Sequence, residues 1–333
     1  MKPLARLGAA SVALTYLHLV FGGIVRISGS GMGCGDHWPR CNGSWIPPFN
    51  DATVMIEYTH RLLALLVVLA IVSFALLAYR RRGDAGVGGR GGVLRPAVIS
   101  VVLVIAVALL GMVTVKLGNR PAATVAHWTL ALTLLGVVSA AAIRAGAIGG
   151  TAARQQAGTP RAMRSLGAGA VIAFVTVVLG GLVAKLPGAA VACTAFPLCG
   201  SAAGVVPAGA AHLQITHRVL AYLLFFHITA VTMAIGRRPS EAPIVKRAAR
   251  VAAALMLLQI VLGAWMVLAS LPPVLRSAHQ ASGAALWLAL FVATYLARVA
   301  ASPPADMGHG TPDLGSEAHV GARVPRPMSD VRR

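Results

Sequence analysis

Carboxylates are scarce in this sequence: nine Asp and Glu residues stand against 29 Lys and Arg in a chain of 333. That shortage excludes the di-iron carboxylate bundles, which need about four carboxylates and two Glu-x-x-His motifs. The chain has one such motif, Glu57 to His60. Charge of either sign is sparse, at 11% of residues, where a soluble domain carries about 25%. With 57% hydrophobic residues, so little polar surface excludes an ordinary soluble domain. A net charge of +20 would suggest nucleic acid in a soluble protein. No base-reading or base-stacking element accompanies it, and the basic residues fall in short segments between apolar runs.

What the chain has instead is apolar length. A bilayer core of ~30 Å needs roughly 20 apolar residues as a helix. Eight runs qualify, near Leu7–Val25, Val54–Tyr79, Val93–Val115, Ala122–Ile143, Leu166–Ala184, Ala210–Ile235, Val251–Ala269 and Leu275–Ala297. Lipid leaves no partner for free backbone amides, so the expected fold is all-α, a polytopic membrane protein. The first run is long for a signal peptide and no small-residue cleavage site follows it, so it counts as a span. Lys and Arg concentrate in segments 1–6, 80–95, 144–164, 237–250 and 298–333, against Arg26, Arg40, Lys116, Arg120, Lys185 and Arg276 on the other side. That bias puts both termini in the cytoplasm of a bacterial inner membrane. The tail over 301–333, rich in Pro, Gly and charge, is expected to be disordered.

All four cysteines then lie outside, where disulfides persist. Each pair spans a short loop, so Cys34–Cys41 and Cys193–Cys199 are the simplest bridges. They either staple their loops or form redox dithiols.

The chain carries one pattern twice. Val20 to Val25 matches Val178 to Val183, Cys41 matches Cys199, and Thr59-His60-Arg61 matches Thr216-His217-Arg218. Gly111 matches Gly263, Pro121 matches Pro273, and Ala126-His127 matches Ala278-His279. Four spans per copy make a parallel repeat: a four-helix bundle over 1–145, a linker over 146–164 and a second bundle over 165–300. The paired glycines serve close helix packing or let a flat macrocycle approach the backbone, with packing the preferred account.

Ionisable residues inside a membrane are functional candidates by default. His60, His127, His217 and His279 sit at repeat-matched positions and similar depth. Two imidazoles from facing helices of one bundle are what a six-coordinate haem iron needs. A copper or zinc site shared by all four would have to form between the halves, and the duplication argues for one site per half. His18, His37, His212, His227, His309 and His319 are unrepeated or lie in loops and tail, and are read as non-ligands. Arg61 and Arg218, each following a ligand, are candidates for the haem propionates, or else snorkel to the surface. Lys116, Arg120, Lys185 and Arg276 could serve the same carboxylates.

The halves differ at one informative place. Glu57 lies three residues before His60, on its helix face, and Gln214 takes the matching place before His217. A carboxyl beside a haem can move protons or stabilise charge at an oxidised carbon, which makes Glu57 the candidate catalytic residue. The plainer role is binding an arginine or backbone group near the surface. The asymmetry suggests a reactive first half and an electron-carrying second half.

The run Gly22-Gly23 to Gly29-Ser30-Gly31, the loop from Cys34 to Gly43, Glu57-Tyr58-Thr59-His60-Arg61 and the three later histidines together resemble the haem A synthase family in its bacterial form. The resemblance covers about residues 5–300. It implies an oxidoreductase that converts the C8 methyl of haem O to the formyl group of haem A by successive hydroxylations and loss of water. It implies haem b held by His217 and His279, haem O held by His60 and His127, catalysis by Glu57, and a Cys34–Cys41 pair implicated in activity. As partners it implies the farnesyltransferase that makes haem O and the terminal oxidase that receives haem A. Gly35 and His37 depart from the family's loop. The alternatives are a diheme b-type cytochrome that only relays electrons and a haem transporter or chaperone.

Overall fold

A computed structural model describes residues 1–200, 207 and 209–302. Most of the tail over 301–333 lies outside the described residues. The apolar runs become helices α1 (Lys2–Ile27), α2 (Ala52–Arg80), α3 (Leu94–Lys116), α4 (Pro121–Arg144), α6 (Pro160–Lys185), α7 (Ala210–Gly236), α8 (Pro243–Leu268) and α9 (Pro273–Ala300). All eight are long and apolar enough to cross a membrane, and no strand occurs among the described residues. The protein is an all-α, multi-pass membrane protein.

Helix starts follow local chemistry. Proline occupies the first turn of α1, α4, α6, α8 and α9, where its missing N–H costs nothing. Asp51 caps α2, accepting from the Thr53 amide at 2.7 Å. Hydrogen bonds from the Thr53 hydroxyl and backbone hold its carboxyl below the ordinary range. Thr159 caps α6 through the Ala162 amide. Its own hydroxyl donates to the buried Glu241 at 2.7 Å, which ties the start of α6 to the start of α8.

Helices α1, α6 and α8 start five to eight residues before the hydropathy reading, α8 by the most. α8 begins at Pro243, not near Val251, because Lys246, Arg247 and Arg250 depress hydropathy without opposing a helix. The linker carries a short helix, α5 (Gly150–Arg154), entered through Gly149 at φ 84°.

Packing is closed within each half. α1 contacts α2, α2 contacts α3, α3 contacts α4, and α4 returns to α1; α6, α7, α8 and α9 repeat the circuit. Between the halves α1 meets α9, α4 meets α9, and α4 meets α6. Helices α4 and α9 therefore bury the most residues. They approach closely at Gly136, where a β-carbon would lie 3.0 Å from the Trp287 ring. Leu65, Leu69, Val102, Leu223, Phe226 and Val261 face outward on α2, α3, α7 and α8, as lipid contact requires.

Candidate haem-binding site

Each of the four intramembrane histidines rests on a glycine of the helix before it. A β-carbon at Gly22 of α1 would lie 3.1 Å from His60 Cε1 on α2, and one at Gly111 of α3 would lie 3.0 Å from His127 Cε1 on α4. In the second half the pairs are Gly180 of α6 with His217 of α7 at 2.9 Å and Gly263 of α8 with His279 of α9 at 3.1 Å. These glycines make room for an imidazole edge. The alternative account, a macrocycle lying against the glycine backbone, is not needed to explain them.

The second glycine of each pair receives a side chain from the other half. Gln280, next to His279, presses on Gly23, and Trp128, next to His127, presses on Gly181, where a β-carbon would sit 2.9 Å from the indole. A methyl at Gly23 would collide outright with the Gln280 amide. The residue after a candidate ligand thus locks the two halves together, once in each direction.

In the second half, His217 and His279 line one cavity of about 420 Å³, with Gly180 and Gly263 on its wall. His217 Nδ1 donates to the Thr176 carbonyl at 3.0 Å, which leaves Nε2 unprotonated. His279 Nε2 lies 3.2 Å from the amide nitrogen of Gln259; that amide can only donate, so Nε2 is unprotonated with its lone pair taken by Gln259, while Nδ1 is buried without a partner. Gln259 is in turn held by the Ser282 hydroxyl. Two unprotonated imidazole nitrogens in one largely apolar cavity with basic residues on its wall fit a bis-histidine haem, which would take His279 Nε2 from Gln259.

In the first half, His60 and His127 are half-buried, and the Nδ1 atom of each is buried without a hydrogen-bond partner. A third imidazole joins them. His18 of α1 stacks on His60, with ring centroids 4.2 Å apart and planes 11° apart, and its Nδ1 is also buried without a partner. Thr176 occupies the matching place in the second half, so the extra histidine distinguishes the two sites.

The disulfide loops are anchored to the histidine helices in the same way twice. Bridges Cys34–Cys41 and Cys193–Cys199 are both formed. The Cys34 amide donates to Glu57 Oε2 at 2.9 Å, and the Cys193 amide donates to Gln214 Oε1 at 2.8 Å. Arg61 donates to the carbonyls of His37 and Arg40 at 2.9 and 2.8 Å. Arg218 donates to those of Ala195 and Leu198 at 2.6 and 2.8 Å. Glu57 is buried and also ion-paired with Arg61 at 2.6 Å.

The family model described as cytochrome oxidase assembly protein matches residues 5–291. The chain belongs to that family. It is 27% identical over 272 residues to a protein named heme A synthase from Geobacillus kaustophilus, covering 81% of this chain and 84% of the relative. It is 26% identical over 270 residues to the heme A synthase of Geobacillus thermodenitrificans, covering 81% and 83%. The heme A synthase of Bacillus licheniformis is 28% identical over 243 residues, covering 71% and 77%. The resemblance to the haem A synthase family is borne out, and the protein is an enzyme.

Within this family member, sequence reasoning missed three contributors. His18 reads as an unrepeated core histidine, and only its position one turn before Gly22 hints at its contact with His60. Gln259 matches Val107, and the mismatch carries no signal without the cavity. Arg26 sits at the end of α1 and reads as an ordinary loop-side cation, yet it lines the second-half cavity. Arg61 and Arg218, candidates for the propionates or for snorkelling to the surface, donate to the carbonyls of the cysteine loops.

Proposed function

We propose that this protein is a haem A synthase that oxidises the C8 methyl of haem O to a formyl group, with a substrate site in the first half and a resident haem b in the second. The observation that carries this reading is the pair of unlike sites on like scaffolds. Both halves hold two glycine-backed histidines and an anchored disulfide loop, and only the first adds Glu57 and His18.

A haem b in the second half would be held by His217 and His279 and would supply one-electron transfer. Thr176 fixes the tautomer of His217, and Gln259, held by Ser282, keeps Nε2 of His279 unprotonated and would yield it to the iron. In the first half, His60 and His127 would hold the iron of haem O. Glu57, on the same helix face as His60, is the group placed to accept a proton at its carboxylate as the methyl carbon is oxidised. Its pairing with Arg61 and the Cys34 amide fixes its position, so that its charge is preorganised and needs no rearrangement. Arg61 and Arg218 close the cysteine loops over the histidine helices. Haem A would pass to a terminal oxidase, haem O would come from the farnesyltransferase that makes it, and both termini would face the cytoplasm.

The division of labour is tested by paired ligand variants. His60→Ala is expected to abolish conversion of haem O while a low-spin haem b spectrum remains. His217→Ala is expected to remove that spectrum. Identical losses in both variants would contradict separate sites and favour a diheme relay.

A further inference from the structure

The second-half cavity is not built by the second half alone. Arg26 of α1 and Trp128 of α4 form part of its wall, alongside Lys185, Arg276 and the two histidines. Arg26 reaches across the interface and donates to Gln280 Oε1 at 2.7 Å. Arg276 and Lys185 stand close enough to repel its charge. None of the three pairs with a carboxylate among the described residues, and Lys185 and Arg276 make no side-chain hydrogen bond there.

Cations in the last turn of a helix complement its dipole, and that accounts for Lys185 at the end of α6 and in part for Arg26. It does not account for their convergence with Arg276, in the first turn of α9. Nor does it explain an arginine that turns into a cavity, where snorkelling would carry it to water. Three like charges gathered at an apolar cavity are costly unless an anion joins them. Arg276 lies three residues before His279, one turn nearer the end of the helix, so the cations form a rim beside the ligand pair. A ligand matched to that arrangement is flat and apolar with its carboxylates on one edge.

Resting on the reading of a resident haem in the second half, we propose that Arg26 of the first half joins Lys185 and Arg276 to bind the haem carboxylates. The second-half site is then complete only when the two halves are docked. Arg218 also lines this cavity, but its guanidinium donates to the carbonyls of Cys193, Ala195 and Leu198, so the propionate role falls to a residue of the opposite half.

The test uses the purified full chain and follows transfer of haem to excess apomyoglobin. Arg26→Gln should keep the low-spin spectrum, since both histidines remain, but lose haem about ten- to a hundredfold faster, the range expected for one charge-assisted hydrogen bond. Its midpoint potential should fall, because a removed cation no longer disfavours the ferric state. Arg26→Lys should recover most of the retention, and Arg276→Gln should repeat the defect. In the haem-depleted wild-type chain, haem dimethyl ester should bind more weakly than haem, by a margin that shrinks in Arg26→Gln. Unchanged haem loss and potential in Arg26→Gln would overturn the proposal. So would equal loss in Arg26→Lys and Arg26→Gln, which would make the role one of packing against Gln280. Equal binding of the ester and the free acid by wild type would also overturn it, and would assign the cations to another anion such as a lipid phosphate. A low-spin spectrum that survives His217→Ala would remove the resident-haem reading itself, and this proposal with it.

Discussion

Glu57 and Gln214 perform the same structural task with different charge. Each holds the amide of the first cysteine in its disulfide loop, at 2.9 Å for Cys34 and 2.8 Å for Cys193. Only Glu57 also forms an ion pair, with Arg61. The loop-anchoring role therefore needs an acceptor oxygen, which glutamine supplies, and leaves the charge of Glu57 to be explained by something else. Under the proposed function, chemistry in the first half would explain it.

That separation predicts the behaviour of Glu57→Gln. The Cys34 amide keeps an acceptor, so the fold and the resident haem spectrum should persist while conversion of haem O stops. Chromatography of extracted haems beside an absorption spectrum checks both. Turnover at the wild-type level would assign Glu57 to anchoring alone. Glu57→Ala should in addition loosen the loop, leaving the buried Cys34 amide unpaired at a cost of about 1–3 kcal/mol.

The glycine supports make a second, paired prediction. Gly180→Ala places a methyl 2.9 Å from His217 Cε1, so the ring or the helix must shift. Loss or marked weakening of low-spin haem b is expected. Gly22→Ala does the same to His60 and should impair conversion of haem O while haem b remains. Spectra and product analysis that do not separate in this way would show that the glycines serve helix packing in general.

The stack of His18 on His60 predicts a defect confined to the first half. His18→Ala removes the ring that lies against His60 and leaves a buried space beside it. Conversion of haem O should fall, with the second-half spectrum unchanged; His18→Phe, which restores a flat ring, should recover part of the activity. Full activity in His18→Ala would make His18 a core residue and nothing more.

A purely structural prediction concerns Glu241. It is buried and holds both the amide and the hydroxyl of Thr159. Glu241→Ala strands those groups and should destabilise the detergent-solubilised protein by about 1–3 kcal/mol, read as a lower melting temperature. Glu241→Gln retains an acceptor for Thr159 and should cost less. Neither should alter the haem spectrum at low temperature.

Much of the fold was legible because apolar length and helix caps are written locally. The eight helices fall where the hydrophobic runs lie, and the α8 start was misplaced only because its first two turns are cationic. The four histidines were legible through the repeat, and the Cys34–Cys41 and Cys193–Cys199 bridges through spacing. What was not legible depends on contact between distant segments. No local pattern says that Gln280 and Trp128 lock onto the glycines of the opposite half. None says that Arg218 bends to its cysteine loop while Arg26 crosses the interface. The paired glycines stand out as a motif in the sequence, and their partners, imidazole for the first and a cross-half side chain for the second, follow only from three dimensions.

The most direct test of the account is extraction and chromatography of haems from membranes of a host that makes haem O but no haem A, with and without this protein. The account predicts that haem A, or its hydroxylated precursor, appears only when the protein is present. If haem O stays unchanged while the purified protein carries bis-histidine haem b, the synthase reading is contradicted and the protein is an electron carrier.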